Sequence, residues 1–439
     1  QPGMVYFEYG WSAPAAAAQS AMFALFTSSS SAMNAVELSN TAPYALTTAG
    51  LYRIMVILFV DELGFERSIN DPSLFFKLRS RARDGVEDEF SLVVVHVDDI
   101  LGASTVTGKM ERYFKRIQEL GYKVEYEENP ASHVGLDIQY FDDGSIGLSQ
   151  DRVEARSLRK LDPEGKIPMY STPGLADVDD KVLEDACIKH EESLNGAPHK
   201  AADIKEARRV VGVFLYLVQR FLPELAYSVM IAARRVTRPC PLMTKLFHSW
   251  IGYLKYRRSQ GRTILRLRPR QRGDPLDPRV ELYCDASGPA TLSSSKSVSG
   301  IVLLINGSPV LMLCGSQKIV ALSSAEAELI TLSDGVRWGI LLLQLGAELG
   351  LDLAPIEVYE DNQATIKLSQ AAVFFKRSKH ILNRYMHFRE ACAKDWFHIN
   401  YVESQKQLAD ICGKTKKEVG QLKKQLQRLF YFTSEACLE

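Results

Sequence analysis

Two adjacent carboxylates, Asp98 and Asp99, interrupt an apolar stretch of the chain at residues 91–104 (SLVVVHVDDILGAS). Neighbouring carboxylates repel each other and lose hydration among apolar residues, so they are costly to hold there unless a cation binds between them. Carboxylate oxygens suit Mg²⁺ or Mn²⁺. The pattern predicts a strand, a tight turn and a second strand, with a divalent-cation site for phosphoryl transfer at the turn.

Four further acids lie in the C-terminal third, each on a different predicted element. They are Asp285 at the end of a strand, Glu328 inside a long helix, Asp361 at the end of a later strand and Asp410 on the last helix. Each acid alone is typical of a helix cap, a turn or a solvated face. The ordered set, converging on one sheet edge, instead favours two cations about 4 Å apart that activate water for phosphodiester hydrolysis.

Glu326 is a second candidate for the helical ligand, two residues before Glu328. Successive residues of an α-helix are rotated by about 100°, so these two side chains diverge by roughly 200°. Only one of them can therefore face a metal ion. The Ala-Glu-Leu context favours Glu328.

The elements around these acids predict an α/β (α+β) architecture. From residue 280 onward, three strands precede a long helix, and then a strand, a helix, a strand and a helix follow, which is typical of a mixed sheet covered by helices. Residues 51–150 are predicted to hold a helix ending at Gly64, several strands and an amphipathic helix over residues 108–120. Residues 150–270 are predicted to be mainly helical, and residues 1–50 poorly ordered.

The composition is that of an ordinary globular protein, with 46% hydrophobic and 24% charged residues among 439 and no net charge. Nucleic-acid binding would therefore need a local patch of cations. The seven cysteines form no CxxC pair, which predicts reduced, intracellular thiols and disfavours a zinc site or a disulfide scaffold. No apolar run reaches the roughly 18 residues that span a bilayer, and the Ala-rich N-terminal segment lacks a signal peptide's basic residues.

One local patch of cations lies at residues 255–273, which hold eight Lys or Arg residues and no acid. Such a run is typical of a phosphate-binding stripe and equally of a solvated basic linker. The candidate nucleic-acid contacts in this basic stripe are Lys255, Arg257, Arg258, Arg262, Arg266 and Arg268.

Six blocks follow one another in the C-terminal third: YCDASGPA, SKSVSGIVLLINGSPV, QKIVALSSAEAELITLSDGVRW, VYEDNQATIKL, KRSKHILNRYMHFRE and NYVESQKQLADICGKT. Over nearly all of residues 281–415, they resemble the ribonuclease H domain of copia-type LTR retrotransposon Pol polyproteins. The resemblance implies a ribonuclease H-like mixed five-stranded sheet and places the family's metal-binding acids on Asp285, Glu328, Asp361 and Asp410. One departure follows the first acid, where a D-x-D-W-A-G pattern reads DASGPA.

Upstream blocks, among them LGFERSINDPSLFF, VVVHVDDILGAS and WIGYLKYRRSQGRTILRL, resemble the second half of the copia-type reverse transcriptase and its connection to the nuclease. In that family the paired aspartates belong to the palm, and a third aspartate from an earlier strand completes the metal site. No aspartate precedes Asp61, which lies on a predicted helix too close to the pair, and His96 replaces a typical Tyr. The resemblance therefore implies a truncated palm in which Asp98 and Asp99 remain and polymerase activity is lost.

The resulting hypothesis is a retrotransposon-derived Pol fragment that hydrolyses RNA in RNA–DNA hybrids with Mg²⁺ or Mn²⁺. Its predicted segments are a poorly ordered 1–50, a truncated palm at 51–165, a helical thumb or connection at 166–275, a ribonuclease H-like domain at 276–415 and a helical tail at 416–439. One alternative is a working reverse transcriptase completed by sequence outside this chain. Another is a non-catalytic nucleic-acid-binding relic.

The expected partners are an RNA–DNA hybrid or another nucleic acid, with a deoxynucleoside triphosphate as the one conceivable small substrate and no membrane. His380, in RSKHI, is expected to contact nucleic acid or to order the substrate, and a structural role is an equal alternative. The resemblance implies an intracellular location, in the cytoplasm within a virus-like particle or in the nucleus.

Overall fold

The computed structural model describes residues 33–38, 53–79, 89–96, 99–175, 177–261, 263–267, 278–287, 296–370, 382–413 and 419–432. Four of the predicted site residues lie outside these ranges: Asp98, Arg262, Arg268 and His380. Every helix within the described ranges is too short or too polar to span a bilayer.

The strands are β1 (Met33–Leu38), β2 (Glu66–Arg67), β3 (Leu74–Arg79), β4 (Glu89–His96), β5 (Asp99–Ser104), β6 (Val124–Glu128), β7 (Ser132–His133), β8 (Leu136–Tyr140), β9 (Ile146–Ser149), β10 (Thr263–Leu267), β11 (Val280–Ser287), β12 (Val298–Ile305), β13 (Ser308–Ser316), β14 (Ile356–Glu360), β15 (Phe397–Tyr401) and β16 (Tyr431–Phe432). The α-helices are α1 (Lys109–Glu119), α2 (Asp151–Leu161), α3 (Asp180–Ser193), α4 (Ala201–Val218), α5 (Ala226–Ala233), α6 (Pro241–Ser259), α7 (Ser324–Glu348), α8 (Gln363–Gln370), α9 (Leu382–Ala393), α10 (Asp410–Gly413) and α11 (Val419–Leu429). Shorter helices are a π-helix (Ile57–Glu62) and two 3₁₀ turns (Pro223–Leu225, Ser404–Lys406).

The chain divides into two compact units. The first comprises Gln1–Leu148, Arg266–Pro278 and Leu341–Leu353, and the second comprises Ser149–Leu265, Arg279–Ile340 and Ala354–Glu439. Helices α2 to α6 therefore share a unit with the sheet that follows residue 280, where the sequence predicted separate segments. The apolar core of these helices continues onto Val298 of β12 and Cys314 of β13.

The first unit contains a six-stranded sheet with the order β2-β3-β4-β5-β1-β6. Strands β4 and β5 pair antiparallel up to His96 and Asp99, so the two predicted strands on either side of the turn are present. The turn itself, with Asp98, lies outside the described residues. Helix α1 buries Met110, Tyr113 and Phe114, which are apolar positions at the predicted helical spacing. This unit therefore contains an antiparallel sheet with a helix packed on it.

Strand β1 lies within residues 1–50, which the sequence predicts to be poorly ordered and of which residues 33–38 are described. It pairs antiparallel with β5 on one side and β6 on the other. An unpaired strand edge leaves N–H and C=O groups without hydrogen bonds. Strand β1 provides hydrogen-bonding partners for the edges of both β5 and β6. Those long-range hydrogen bonds, which no local pattern reveals, give these six residues their strand conformation.

The second unit contains a five-stranded sheet with the order β13-β12-β11-β14-β15. Strands β11, β12 and β13 are antiparallel neighbours, whereas β14 lies parallel to β11 and β15 parallel to β14. Parallel neighbours need crossover connections. Helix α7 lies in the connection from β13 to β14, and helices α8 and α9 lie in the connection from β14 to β15. The predicted mixed five-stranded sheet in an α/β (α+β) fold is confirmed.

Candidate metal centre

The parallel pairing of β11 with β14 brings two acids to the same end of the mixed sheet. Its register pairs Tyr283 with Tyr359, and Asp285 and Asp361 each lie two residues further along the chain. Because side chains alternate along a strand with a period of two, equal spacing from a paired position sets the two acids level. The Tyr283 and Tyr359 rings stack with their centroids 4.7 Å apart, which reinforces this register.

Three of the four predicted ligands form a cluster. Carboxylate oxygens of Asp285, Glu328 and Asp361 all lie within 4.8 Å of one another. Asp285 and Glu328 are buried, and Asp361 is partly exposed. Burial of several like charges together is unfavourable unless a cation or protons compensate them, so this is a place where the fold concentrates negative charge.

Helix α7 delivers Glu328 to the cluster because glycines let it lie close against the sheet. A Cβ atom on Gly335 would lie 2.6 Å from the Cys284 sulfur, and one on Gly339 would lie 2.6 Å from the Phe397 ring. Cys284 directly precedes Asp285 on β11. Glu328 lies two helical turns, about 10 Å, before Gly335 on the same helix. The close contact of Gly335 with Cys284 therefore fixes where Glu328 lies relative to the end of β11.

Glu326, the other candidate ligand, forms hydrogen bonds at the start of the same helix. Its carboxylate accepts a hydrogen bond from the Leu322 main-chain N–H at 2.7 Å, and its own N–H donates to the Ser323 hydroxyl at 3.2 Å. This reciprocal arrangement resembles a capping box, which satisfies N–H groups at a helix start. The structure therefore brings Glu328, and not Glu326, to Asp285 and Asp361.

Asp410 begins α10 and is buried, but its carboxylate is not part of the group of three within the described residues. The chain before it is anchored by the Gln407 side-chain amide, which donates to the carbonyls of Cys284 at 2.8 Å and Tyr359 at 3.2 Å. These carbonyls belong to β11 and β14, beside the two strand-borne acids. Gln407 thus fixes the segment that carries Asp410 near the same strand ends.

Glu360 is a further carboxylate at this end of the sheet, and the sequence did not suggest it. It is fully buried, and its Oε1 accepts a hydrogen bond from the Asn362 N–H at 3.0 Å. Burial, together with the negative charges of Asp361 and Asp285, raises the pKa of the Glu360 carboxyl to about 8. Burial and the carboxylates of Glu360 and Glu328 likewise raise the pKa of the Cys284 thiol.

The donor set of this cluster fits a hard divalent cation. Three carboxylates offer anionic oxygens, and neither an imidazole nor a thiolate belongs to the group in the described part of the chain. Oxygen-only ligands of this kind suit Mg²⁺ or Mn²⁺ better than zinc or copper. The cluster is consequently the candidate metal centre.

The paired aspartates of the first unit are only partly described. Asp99 begins β5 and is partly exposed, and its register partners are His96 on β4 and Glu37 on β1. The backbone of β1 therefore places a glutamate position level with Asp99, on a strand that the sequence did not predict. The metal-binding role of Asp98 and Asp99 stays a prediction.

The described cations of the basic stripe have acidic or carbonyl partners within the chain. Lys255 pairs with Asp162 and donates to the Ile167 carbonyl. Two further pairs are Arg258 with Asp151 and Glu154, and Arg266 with Asp143. These pairs are partly exposed, so a nucleic-acid contact by Lys255, Arg258 or Arg266 stays a prediction.

Arg257 requires a correction. Its side chain is buried, ion-paired with the buried Glu224 and hydrogen-bonded to the Thr263 hydroxyl at 2.8 Å. A guanidinium with such partners holds α6 to its neighbours and does not face a phosphate backbone. The sequence suggested otherwise because charge alone does not reveal which side of α6 faces the interior.

The chain is similar in sequence to transposon Pol polyproteins. No protein-family model matches the chain. It is 25% identical over 368 residues to the retrovirus-related Pol polyprotein from transposon TNT 1-94 of Nicotiana tabacum, which covers 81% of this chain and 25% of that protein. It is also 25% identical over 360 residues to the Pol polyprotein from transposon RE2 of Arabidopsis thaliana, which covers 80% of this chain and 22% of that protein.

The chain therefore spans about a quarter of the length of these curated relatives. It is 26% identical over 277 residues to the transposon Ty5-1 protein of Saccharomyces cerevisiae, which covers 63% of this chain and 80% of that protein. The predicted resemblance to retrotransposon Pol polyproteins is confirmed by these similarities.

Solved structures were matched with low TM-scores. The N-terminal RNase H domain of Rv2228c from Mycobacterium tuberculosis gives a TM-score of 0.24 at 14% identity and covers 31% of this chain and 91% of that chain. The foamy viral protease-reverse transcriptase dRH in complex with double-stranded DNA gives a TM-score of 0.20 at 12% identity and covers 85% of this chain and 59% of that chain. The strand order β13-β12-β11-β14-β15 defines the fold of the second unit.

Gln407 provides a test of how the Asp410 segment is anchored. Replacing it in Gln407→Ala removes two hydrogen bonds to buried carbonyls, which we expect to lower the free energy of unfolding by about 1–3 kcal/mol. Chemical denaturation measures this change. The exposed neighbour Gln405 supplies the control, since Gln405→Ala should leave stability within about 0.5 kcal/mol of the unchanged protein. Equal effects of the two substitutions would refute the anchoring role.

Glu360 predicts a pH dependence of stability. Its pKa is raised from the ordinary 4.5 to about 8, so the folded state favours the protonated carboxyl. The contribution of Glu360 to the free energy of unfolding should therefore fall by a few kcal/mol, in order of magnitude, as pH rises through this window. Denaturation of the unchanged protein and of Glu360→Gln, both in EDTA, isolates that contribution as a difference, with exposed Glu403→Gln as control. A difference that stays constant from pH 5 to pH 8 would contradict the assignment.

Proposed function

We propose that residues 276–415 form a divalent-cation-dependent nuclease of the ribonuclease H type, which hydrolyses the RNA strand of RNA–DNA hybrids. The observation that carries the proposal is the cluster of Asp285, Glu328 and Asp361, whose carboxylate oxygens lie within 4.8 Å of one another at the end of the mixed sheet. The similarity to transposon Pol polyproteins supports the choice of substrate. Because the chain spans a quarter of those relatives, the proposal concerns this part alone.

The ligands proposed for Mg²⁺ or Mn²⁺ are Asp285, Glu328 and Asp361, with Asp410 as a fourth from the adjacent helix. When bound, such an ion lowers the pKa of a coordinated water and stabilises negative charge on a phosphate. The carboxylates of the chain supply the charge that attracts the ion. Their hard oxygens also disfavour softer metals.

The rest of the site prepares this arrangement before a substrate arrives. The β11–β14 register sets the spacing of Asp285 and Asp361, and the glycine-mediated contact of α7 sets Glu328. Ligands held by packed elements need little reorganisation when they act. Asp361 is the most exposed of the three acids. A phosphodiester strand would therefore approach the cluster from the side on which Asp361 lies.

The resemblance to the family implies products with 3′-hydroxyl and 5′-phosphate ends. It also supports an intracellular location, in the cytoplasm or the nucleus, where hybrids made by reverse transcription occur. Both are proposals for this chain. End-labelled product analysis distinguishes 5′-phosphate from 3′-phosphate ends directly.

Cleavage of a labelled RNA–DNA hybrid by the full chain in Mg²⁺ tests the proposal. We expect Asp361→Asn and Glu328→Gln to lower the cleavage rate by at least about 100-fold, because each removes one anionic ligand. The matched control is Glu326→Gln, since its amide oxygen can still accept the Leu322 hydrogen bond. Full activity of Asp361→Asn, or equal losses in the two glutamate variants, would refute the assignment.

The polymerase region supports a second candidate function, a reverse transcriptase completed by sequence outside this chain. Asp99 and the antiparallel pairing of β4 with β5 favour it. No aspartate precedes Asp61 in this sequence, so we propose that this chain alone extends no primer. Incorporation of deoxynucleotides on a primed RNA template by the purified chain would overturn that view.

The third candidate is a nucleic-acid-binding relic without catalysis. It depends on the basic stripe, whose described cations already have partners inside the chain. Hybrid binding with a steep salt dependence but without cleavage would favour this candidate over the nuclease. The paired state of Lys255, Arg258 and Arg266 makes the nuclease the stronger proposal.

A further inference from the structure

Two cysteines far apart in the sequence meet inside the helical part of the second unit. Cys187 lies on α3, and Cys240 directly precedes α6. Their sulfur atoms are 3.4 Å apart, and the thiol of Cys187 donates a hydrogen bond to the sulfur of Cys240. The side chains are 0% and 4% exposed. A disulfide has sulfurs about 2.05 Å apart, so a small approach of these two atoms would suffice to form one.

The surrounding contacts hold the two cysteines together. On α3, Asp180 and Glu184 both form ion pairs with Arg235, which follows α5. Glu184 lies one turn before Cys187 and also pairs with Arg238, two residues before Cys240. These buried or partly buried pairs join the two segments on which the cysteines lie. These ion pairs and the surrounding packing therefore hold the two thiols next to each other.

The two sulfurs differ in their readiness to react. The hydrogen bond from Cys187, aided by the N–H groups of Met243 and Leu242 and by His190, lowers the pKa of Cys240 to about 6 against the effect of burial. The same pairing raises the pKa of Cys187. Thiolates are the nucleophiles in thiol oxidation. Because the Cys240 sulfur accepts the hydrogen bond and Cys187 donates it, we assign the attack to Cys240.

We propose that Cys187 and Cys240 form a site of reversible oxidation, in which a hydroperoxide converts the two thiols into an intramolecular disulfide. In the first step, the Cys240 sulfur attacks a peroxide oxygen and the O–O bond breaks. With hydrogen peroxide, Cys240 becomes a sulfenic acid and the departing oxygen leaves as water after taking up a proton. In the second step, the Cys187 sulfur attacks the sulfenic sulfur, the S–O bond breaks, and the Cys187 proton leaves with the hydroxide as a second water.

The bond would tie α3 to the start of α6 across a loop that contains α4 and α5. Cross-linking positions this far apart restricts the unfolded chain. The oxidised protein should therefore unfold at a temperature about 5 °C or more above that of the reduced protein. A thiol reductant should reverse the shift. The pair thus gives the chain a reversible cross-link that stabilises the folded state only when it is oxidised, at a site separate from the carboxylate cluster.

The test starts from the fully reduced chain, treated with hydrogen peroxide and then quenched. Thiols titrated after unfolding should fall from the seven of the sequence by two, and digestion without reductant should yield one peptide pair joined through Cys187 and Cys240. Cys187→Ser and Cys240→Ser should each lack the joined pair, whereas Cys392→Ser should retain it. Peptide mapping of the unchanged protein does not depend on how well any variant folds.

Two results would overturn the proposal. One is a peroxide-treated protein whose peptides contain Cys187 and Cys240 as separate thiols or as sulfinic acids. The other is a joined pair that a thiol reductant fails to release. An unchanged unfolding temperature after complete formation of the Cys187–Cys240 disulfide would refute the claim that this bond stabilises the folded state.

Discussion

The parallel hydrogen bonding of β11 with β14 is the constraint on which the candidate site depends. Side chains alternate along each strand, so pairing Tyr283 with Tyr359 leaves no freedom in where Asp285 and Asp361 lie relative to each other. A slip by one residue would turn one acid away from the other. The remaining parts adapt to this pairing: α7 approaches through Gly335, and Gln407 bridges carbonyls of both strands. The site is therefore a property of the whole sheet.

Much of this arrangement can be predicted from the sequence, because it depends on periodic patterns and on acids at element ends. The mixed sheet follows from the order of strands and helices. The geometry of a helix allows only one of Glu326 and Glu328 to face a metal ion, and the Ala-Glu-Leu context favours Glu328. Gln407 and Glu360 escape such reasoning, because their importance comes from contacts with distant strands. Arg257 shows the opposite error, since a basic run gives no sign that one of its members is buried against Glu224. Local patterns give elements and periodicity, whereas burial and pairing depend on the folded chain.

The first unit shows how long-range pairing can replace a weak local signal. Strand β1 has no strong pattern, yet it lies between β5 and β6 and has Glu37 level with Asp99. The cysteines are a similar case: their separation in the sequence suggests isolated thiols, and only the packing of α3 against the start of α6 brings Cys187 to Cys240. The carboxylate cluster and the thiol pair lie in the same unit but differ in chemistry, one suited to hard cations and the other to oxidants.

The central claim is that the cluster of Asp285, Glu328 and Asp361 binds a divalent cation in the folded chain. Its most direct measurement is the thermal unfolding of the full chain in EDTA and in increasing concentrations of Mg²⁺. A cation bound only by the folded state stabilises it in proportion to the logarithm of its concentration above the dissociation constant. The unfolding temperature should rise with Mg²⁺ in the unchanged protein and stay level in Asp285→Asn. An unfolding temperature that Mg²⁺ leaves unchanged, or raises equally in both proteins, would contradict this claim.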